Sequence, residues 1–392
     1  MGRSIHHPVG LIHNSSSAYS GYTLLTNNGG NHATLLDMEG RIVHRWNSEE
    51  GIVYAYLLPS GNLLCRTKPS TDVELVQSLG GSSAALLEIN WDSEVIWRYD
   101  DPMLHHDFVR LSNGNTLALL FDPLDENTTK KVQGGYVSEE DPPTILGDLI
   151  REISPDGDTV KEWNISESLS YDEDVICPLE HRREWTHANC INLTPDGDFL
   201  VSFRNTSTIG IIGKESGRFL WKWGPGEVWH QPHPTFLGNG NILLFDNGSH
   251  SKGADRSRVI EVDPESGEVK WEYTETPPMA FYSFHISSAE RLANGNTLIC
   301  EGAFGRIFEV TEKGDVVWEY VNPFQTPDLR TGAPSNMVFR AQNYGSHDPA
   351  ILGRDLNPEK YANLNKLYSG ASPSCLLYTS PSPRDATLSR MP

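Results

Sequence analysis

The chain has 392 residues, 38% of them hydrophobic, with 34 Gly, 25 Pro and 10 Trp, a mixture that suits many short strands and turns better than long helices. Its formal charge of −21 argues against a nucleic-acid partner, because phosphate binding needs clustered Lys and Arg; the acidity reads most simply as solubility. No run of about 18 apolar residues occurs, so no membrane insertion is expected.

The N-terminal stretch MGRSIHHPVGLIHNSSS lacks the apolar core of a secretory signal. A cytoplasmic protein is therefore expected unless the start is incomplete, and residues 1–20 read as an extension. Gly21–Trp46 (GYTLLTNNGGNHATLLDMEGRIVHRW) then supplies the last three strands of a four-strand unit without its first. Five full units follow, at Tyr54–Tyr99, His105–Trp163, His187–Trp223, His233–Tyr273 and His285–Tyr320. Each runs through an apolar strand ending in Leu, a Gly-containing turn, a second apolar strand, a third ending in Asp or Glu, another Gly turn, and a strand closing on Trp or a Trp-x-Tyr pair. Asn-Gly, Asp-Gly and Ser-Gly turns supply the positive-φ positions that tight hairpins require. A repeat of roughly 40–50 residues built from four strands is the signature of a propeller blade. Asn336–Tyr344 (NMVFRAQNY) reads as a lone first strand that completes the opening partial unit. The expected fold is thus all-β, a six-bladed propeller over residues 21–348 closed by N- and C-terminal strands sharing one blade, which removes exposed sheet edges. Trp46, Trp97, Trp163, Trp223, Trp271 and Trp318 fall on the outer strands and read as packing between blades.

Two polar insertions, Asp122–Gly147 and Ile165–Glu184, interrupt the repeat, and loops this long in a compact ring are often functional. Pro358–Leu367 predicts a short helix within a tail over 349–374. From Cys375 to Pro392 the chain is similar to translated sequencing-adapter DNA; whether foreign or a disordered Ser/Pro tail, it contributes nothing to the fold. Five cysteines (Cys65, Cys177, Cys190, Cys300, Cys375) show no CxxC spacing, which excludes a zinc ribbon or thioredoxin motif; Cys177 and Cys190 are a candidate pair only in an oxidising compartment.

Six of the 14 histidines, His105, His106, His187, His230, His233 and His285, lie a few residues before the Leu that ends a blade's first strand. First strands line a propeller's channel, so these positions converge on one funnel. A single such histidine is most often a structural, hydrogen-bonded residue. Several around one funnel suppress each other's protonation, an arrangement that needs an anion, a metal or catalysis to justify it. Arg204, Arg256, Arg258 and Arg306 follow second strands of blades three to five, either as donors to a tetrahedral oxyanion or as salt bridges, with Glu261 and Glu309 near.

The segments GYTLL with LLDMEGRIVHRW, HHDFVRLSNGNTL, WTHANCIN, PTFLGNGNILLFDNG followed by SRVIEVD, and FYSFHISSAERLANGNTLICEG followed by VWEYVNP resemble the arylsulfotransferase family up to about Asp355. The resemblance implies a six-bladed propeller that moves a sulfuryl group from an aryl sulfate to a phenol, through a sulfated histidine and without a nucleotide donor, cofactor or metal. Carried over, His187, His233 and His285 are the catalytic candidates; His230-Gln231-Pro232-His233 stands where the family has Gln-His, so either histidine there fits. The family arginine after FDNG meets Ser249-His250-Ser251 here, leaving Arg258 or Arg256 to substitute. His106, His230, Arg204, Arg306 and Tyr282 are the expected substrate-binding residues, with Tyr282 or Phe281 against the aromatic rings. Two other readings remain open: a binding or scaffold propeller with structural histidines, and a metal-dependent hydrolase or lyase in which several histidines and Asp107 hold a cation.

Overall fold

A computed structural model describes residues 8–139 and 142–368; the stretch from Cys375 onward lies outside the described residues. The protein is a six-bladed β-propeller of antiparallel sheets. Blade one contains Tyr54–Leu57, Leu63–Arg66, Ala85–Ile89 and Val95–Asp100, and blade two Leu104–Arg110, Thr116–Pro123, Leu146–Ile153 and Thr159–Asn164. Blade three runs through Ala188–Leu193, Phe199–Phe203, Thr208–Ile212 and Phe219–Trp223; blade four through Thr235–Phe236, Ile242–Asp246, Arg258–Val262 and Val269–Tyr273. The first strand of blade four is short because Pro232 and Pro234 precede it and can donate no ladder hydrogen bond. Blade five holds Ser288–Arg291, Thr297–Glu301, Arg306–Val310 and Val316–Val321, and a further strand, Gly10–Asn14, pairs onto its outer edge. Part of the segment read as an N-terminal extension therefore belongs to a blade. In blade six, Val338–Gly345 pairs with Gly21–Asn27, followed by His32–Leu36 and Ile42–Asn47.

One side-chain contact explains why the repeat carries an asparagine in its first turn and an acid on its third strand. Asn62 donates to Glu88 at 2.7 Å, Asn115 to Glu152 at 2.6 Å and Asn241 to Glu261 at 2.7 Å, and Asn296 donates to Glu309. The glycine before each asparagine sits at φ +82° to +89°, a region closed to most side chains. Between blades the indole N–H donates to a carbonyl in the next blade's outer hairpin: Trp97 to Pro155 at 2.8 Å, Trp163 to Lys214 at 2.7 Å, Trp271 to Glu312 at 2.8 Å and Trp318 to Met38 at 2.9 Å. Trp46 instead packs edge-on to Trp91 of blade one. Trp46 and Trp318 are fully buried; a ring of this kind removes on the order of 200 Å² from water, worth roughly 5 kcal/mol as an upper estimate at about 25 cal/mol per Å².

The two insertions meet. Gly134–Tyr136 pairs in parallel with Ile176–His181, and Leu124, Val132, Ile145, Ile176 and Trp185 form a small core of their own. That satellite fixes the second insertion, and with it Glu180 and Glu184, over blades two and three. Residues 362–368 form a helix whose Asn365 brackets the backbone of Ile42 through its amide, accepting at 2.8 Å and donating at 3.1 Å. No helix among the described residues is long and apolar enough to cross a membrane.

Candidate active site

At the entrance to the first strands the backbone does something unusual. His106, His187 and His233 take φ of +47°, +52° and +50°, and Ile286 and Ser287 of blade five take +52° and +90°. Left-handed non-glycine residues carry strain of order 1 kcal/mol or more, and repetition of that strain at blade entrances re-aims side chains toward the channel. In blade two the ladder shifts register around His106 and Asp107, and in blade three around Asn189, two residues after His187, so His106 and Asn189 are thrown out of the regular pleat.

The result is a cavity of about 470 Å³ lined by His106, His187 and His285, by Arg66, Arg204, Arg330 and Arg340, by Glu180 and Asp328, and by apolar Leu79, Phe284, Ile286, Leu329 and Phe339. His106 and His187 meet edge to face at 4.5 Å. Behind them His105 Nδ1 lies 3.0 Å from His106 Nδ1, and its Nε2 lies 3.2 Å from buried Asp148. Burial, then the neighbouring His187 and His105, push the His106 pKa well below its ordinary value, so its ring is neutral. Gly81 makes room for it: a Cβ there would fall 2.2 Å from the imidazole. His187 Nδ1 lies 2.9 Å from the Glu184 carboxylate. His285 stacks on Phe284 at 4.2 Å with no hydrogen bond at Nδ1; burial, and then the Arg204 charge, hold its pKa down to about 3.

Two arginines that the sequence reading passed over dominate the floor. Arg66 is 1% exposed; its Nη1 donates to the Gly81 carbonyl at 3.1 Å and lies 3.5 Å from that of Ser82, and its guanidinium sits 4.5 Å from the Phe339 ring centroid. No carboxylate pairs with it among the described residues, and burial together with the Arg340 charge lowers its pKa to about 9. Arg340, 5.1 Å from the Phe339 ring centroid, contacts Asp107 at 2.9 Å and donates to the Asn189 carbonyl at 2.7 Å. Arg66 closes the second strand of blade one (LLCR) as Arg204 follows that of blade three (VSFR), so aligning the repeats on their second strands would have found it. Arg340 stands in the lone terminal strand, where no repeat partner marks it. Glu180 and Glu184 belong to the second insertion, whose position over the channel only its pairing with the first insertion decides.

Other expected residues lie elsewhere. Arg258, expected in catalysis, is held by Asp246 at 3.0 Å and Glu272 at 2.9 Å and is outside the cavity lining; it is an inter-strand ion pair. Arg256 is exposed, so neither residue fills the gap after FDNG. Arg306 is buried among Glu275, Glu301 and Glu319, which use its donors. Tyr282 is half-buried, with its backbone N–H donating to Glu301, and does not line the cavity; Phe281 is core. His233 stands behind the lining, its Nδ1 without a hydrogen bond and its pKa held well below normal by burial and the Arg340 charge. His230 is fully buried and faces Glu180 and His250 rather than the cavity. Asp107, the carboxylate of the metal-hydrolase reading, is occupied by Arg340 and by the Ile191 amide at 3.0 Å. Cys177 and Cys190 are both free thiols, the first against His250 and the second buried beside Pro234.

Comparison with solved structures finds similar chains. A protein of unknown function from Bacteroides caccae is 16% identical with a TM-score of 0.53, covering 83% of this chain and 98% of its own. A streptogramin B lyase is 14% identical (TM-score 0.45; 83% and 87% covered), and virginiamycin B lyase from Staphylococcus aureus 13% (TM-score 0.44; 82% and 88%). No curated protein matches the sequence significantly. The family model described as arylsulfotransferase (ASST) matches residues 78–323, more than half of the chain and all of blades two to five. Since those blades and the loops at their entrances supply His106, His187 and His285, fold and match together place the chain in the arylsulfotransferase family.

Proposed function

We propose that the protein transfers a sulfuryl group from an aryl sulfate to a phenol by way of a sulfated histidine. The observation that carries this reading is Arg66, a buried cation with no carboxylate partner among the described residues, facing the cavity beside His106. A desolvated guanidinium next to a second one is costly unless an anion completes the site, and its planar fork suits two oxygens of a tetrahedral oxyanion. Apolar Leu79, Phe284 and Phe339 in the lining suit an aromatic ring.

His285 is the best-placed nucleophile. Its depressed pKa leaves a ring nitrogen lone pair free at neutral pH. That lone pair attacks sulfur in line; the bond from sulfur to the aryl oxygen breaks, and the departing oxide takes a proton from His187, whose contact with Glu184 orients the ring and balances its charge. Arg66 and Arg340 stabilise the equatorial oxygens throughout, as in phosphoryl transfer, where positioning and charge dominate. An acceptor phenol then enters, gives its proton to His187 and attacks sulfur, and the sulfur–nitrogen bond breaks to restore His285. Donor and acceptor use one cavity in turn, which gives ping-pong kinetics.

Intact mass after incubation with 4-nitrophenyl sulfate tests the reading. A single added SO₃ unit on His285, discharged by phenol and absent from His285→Ala, is expected. Nitrophenol release that needs no acceptor and leaves no adduct, or no turnover by folded protein, would overturn it.

A further inference from the structure

Beside the cavity, on the outer side of Glu180, lies a cluster that the transfer chemistry does not use. Cys177 comes from the second insertion, His230 from the loop between blades three and four, and His250 from the loop after the second strand of blade four. Their potential ligand atoms all lie within 4.8 Å of one another, the one such group of three found among the described residues. Cys177 Sγ is 3.5 Å from His250 Nδ1. Glu180 Oε1 is 3.6 Å from His250 Nδ1 and 3.3 Å from His230 Nδ1. Tetrahedral zinc, with bonds of about 2.0–2.1 Å to N or O and about 2.3 Å to S, requires ligand–ligand edges of roughly 3.3–3.6 Å. The 3.5 Å edge between Cys177 Sγ and His250 Nδ1 therefore already has the length that one central ion would impose.

A second observation points to a ligand independently. His230 is 0% exposed, yet neither ring nitrogen makes a hydrogen bond, although buried polar atoms are nearly always satisfied. Its ring is held there by a backbone at φ +61°, and His250 opposite it by one at +64°. Two strained residues from separate loops converge on a thiol whose own backbone N–H is tied to the Asn205 carbonyl at 2.8 Å. Arg204 already balances the Glu180 carboxylate at 2.7 Å, so the thiolate of Cys177 is the one anionic ligand and two neutral imidazoles complete the donor set.

We propose that Cys177, His230 and His250 bind one zinc-class divalent cation, with Glu180, paired to Arg204 at 2.7 Å, bordering the site rather than ligating the ion. Three protein ligands leave the fourth position to solvent on the exposed His250 side, and the ion ties the second insertion to the loops around blade four. Binding displaces the Cys177 proton to solvent and needs no redox step.

Cobalt(II) alone, titrated into chelator-treated full-length protein, is the probe. One equivalent should produce the intense visible bands of tetrahedral cobalt and a near-ultraviolet sulfur-to-cobalt charge-transfer band, both erased by one equivalent of zinc. Cys177→Ser should abolish the charge-transfer band and weaken cobalt binding about 100-fold or more, beyond what loss of an outer-shell partner costs. His250→Ala, at a half-exposed loop position, should weaken it comparably while leaving the metal-free melting curve unchanged. Weak octahedral spectra, or binding that survives Cys177→Ser unaltered, would overturn the site. Because the readout is a spectrum of bound metal, it succeeds or fails independently of sulfuryl transfer.

Discussion

Replacing Arg66 by methionine separates a cation kept for an anion from one kept for the fold. The side chain is fully buried, its pKa falls from the ordinary arginine value to about 9, and burial is the largest cause. Carrying a charge whose pKa is lowered this far costs on the order of 4–5 kcal/mol in the folded state. The sign is that of a base whose folded pKa is lowered: the penalty is fully present at every pH below about 9 and is relieved only as pH rises beyond that, when the folded state loses its proton first. Against it stand the hydrogen bond to Gly81 and the packing on Phe339, worth about 1–3 kcal/mol together. Arg66→Met, which fills a similar volume, is therefore expected to stabilise the ligand-free protein by roughly 1–3 kcal/mol while removing most transfer activity. Urea denaturation with and without sulfate reads both effects. Sulfate should raise the midpoint of the wild type and leave that of Arg66→Met unmoved. A variant that is less stable than wild type, or stabilised by sulfate to the same extent, would refute the assignment of Arg66 as the anion's partner.

The remaining expectations are simpler. His187→Ala and His285→Ala should each abolish turnover of 4-nitrophenyl sulfate with the melting curve preserved, whereas His44→Ala, which unpacks a ring stacked on Trp91 at 3.9 Å, should lower stability by about 1–3 kcal/mol and leave turnover per folded molecule intact; equal unfolding of all three would make the channel histidines core. Acid should destabilise the protein well above the carboxylate range: His230 and His285, with pKa values lowered to about 2 and 3 chiefly by burial, stay neutral in the folded state, so the unfolded chain binds their protons first as pH falls below about 6.5. Each then removes up to about 1.4 kcal/mol per pH unit, and a midpoint flat between pH 7 and 5 would contradict it. Arg306→Ala removes the cation that Glu275, Glu301 and Glu319 share and should cost about 3–5 kcal/mol, seen as a lower urea midpoint with kcat unchanged in the protein that remains folded; loss of kcat at unchanged stability would return Arg306 to the active site.

What the sequence determined by itself was the architecture, since blade geometry is local. An Asn-Gly-Asn turn, an acid on the third strand and a Trp on the fourth each act within one blade or across one seam, and their repetition counts the blades. The same locality made His106, His187 and His285 legible, because an address repeated at the entrance of first strands maps onto one funnel. Tertiary structure alone decided the rest. Whether an arginine faces an anion or a carboxylate depends on which acids the neighbouring strands bring within about 4 Å, so Arg258 and Arg306, with promising spacing, are neutralised by Asp246, Glu272, Glu275, Glu301 and Glu319. Arg66, with no motif around it, lacks a carboxylate partner among the described residues. Glu180, Glu184 and Cys177 reach the histidines only because two irregular insertions pair with each other, a contact between segments without periodicity, which no pattern within either one encodes.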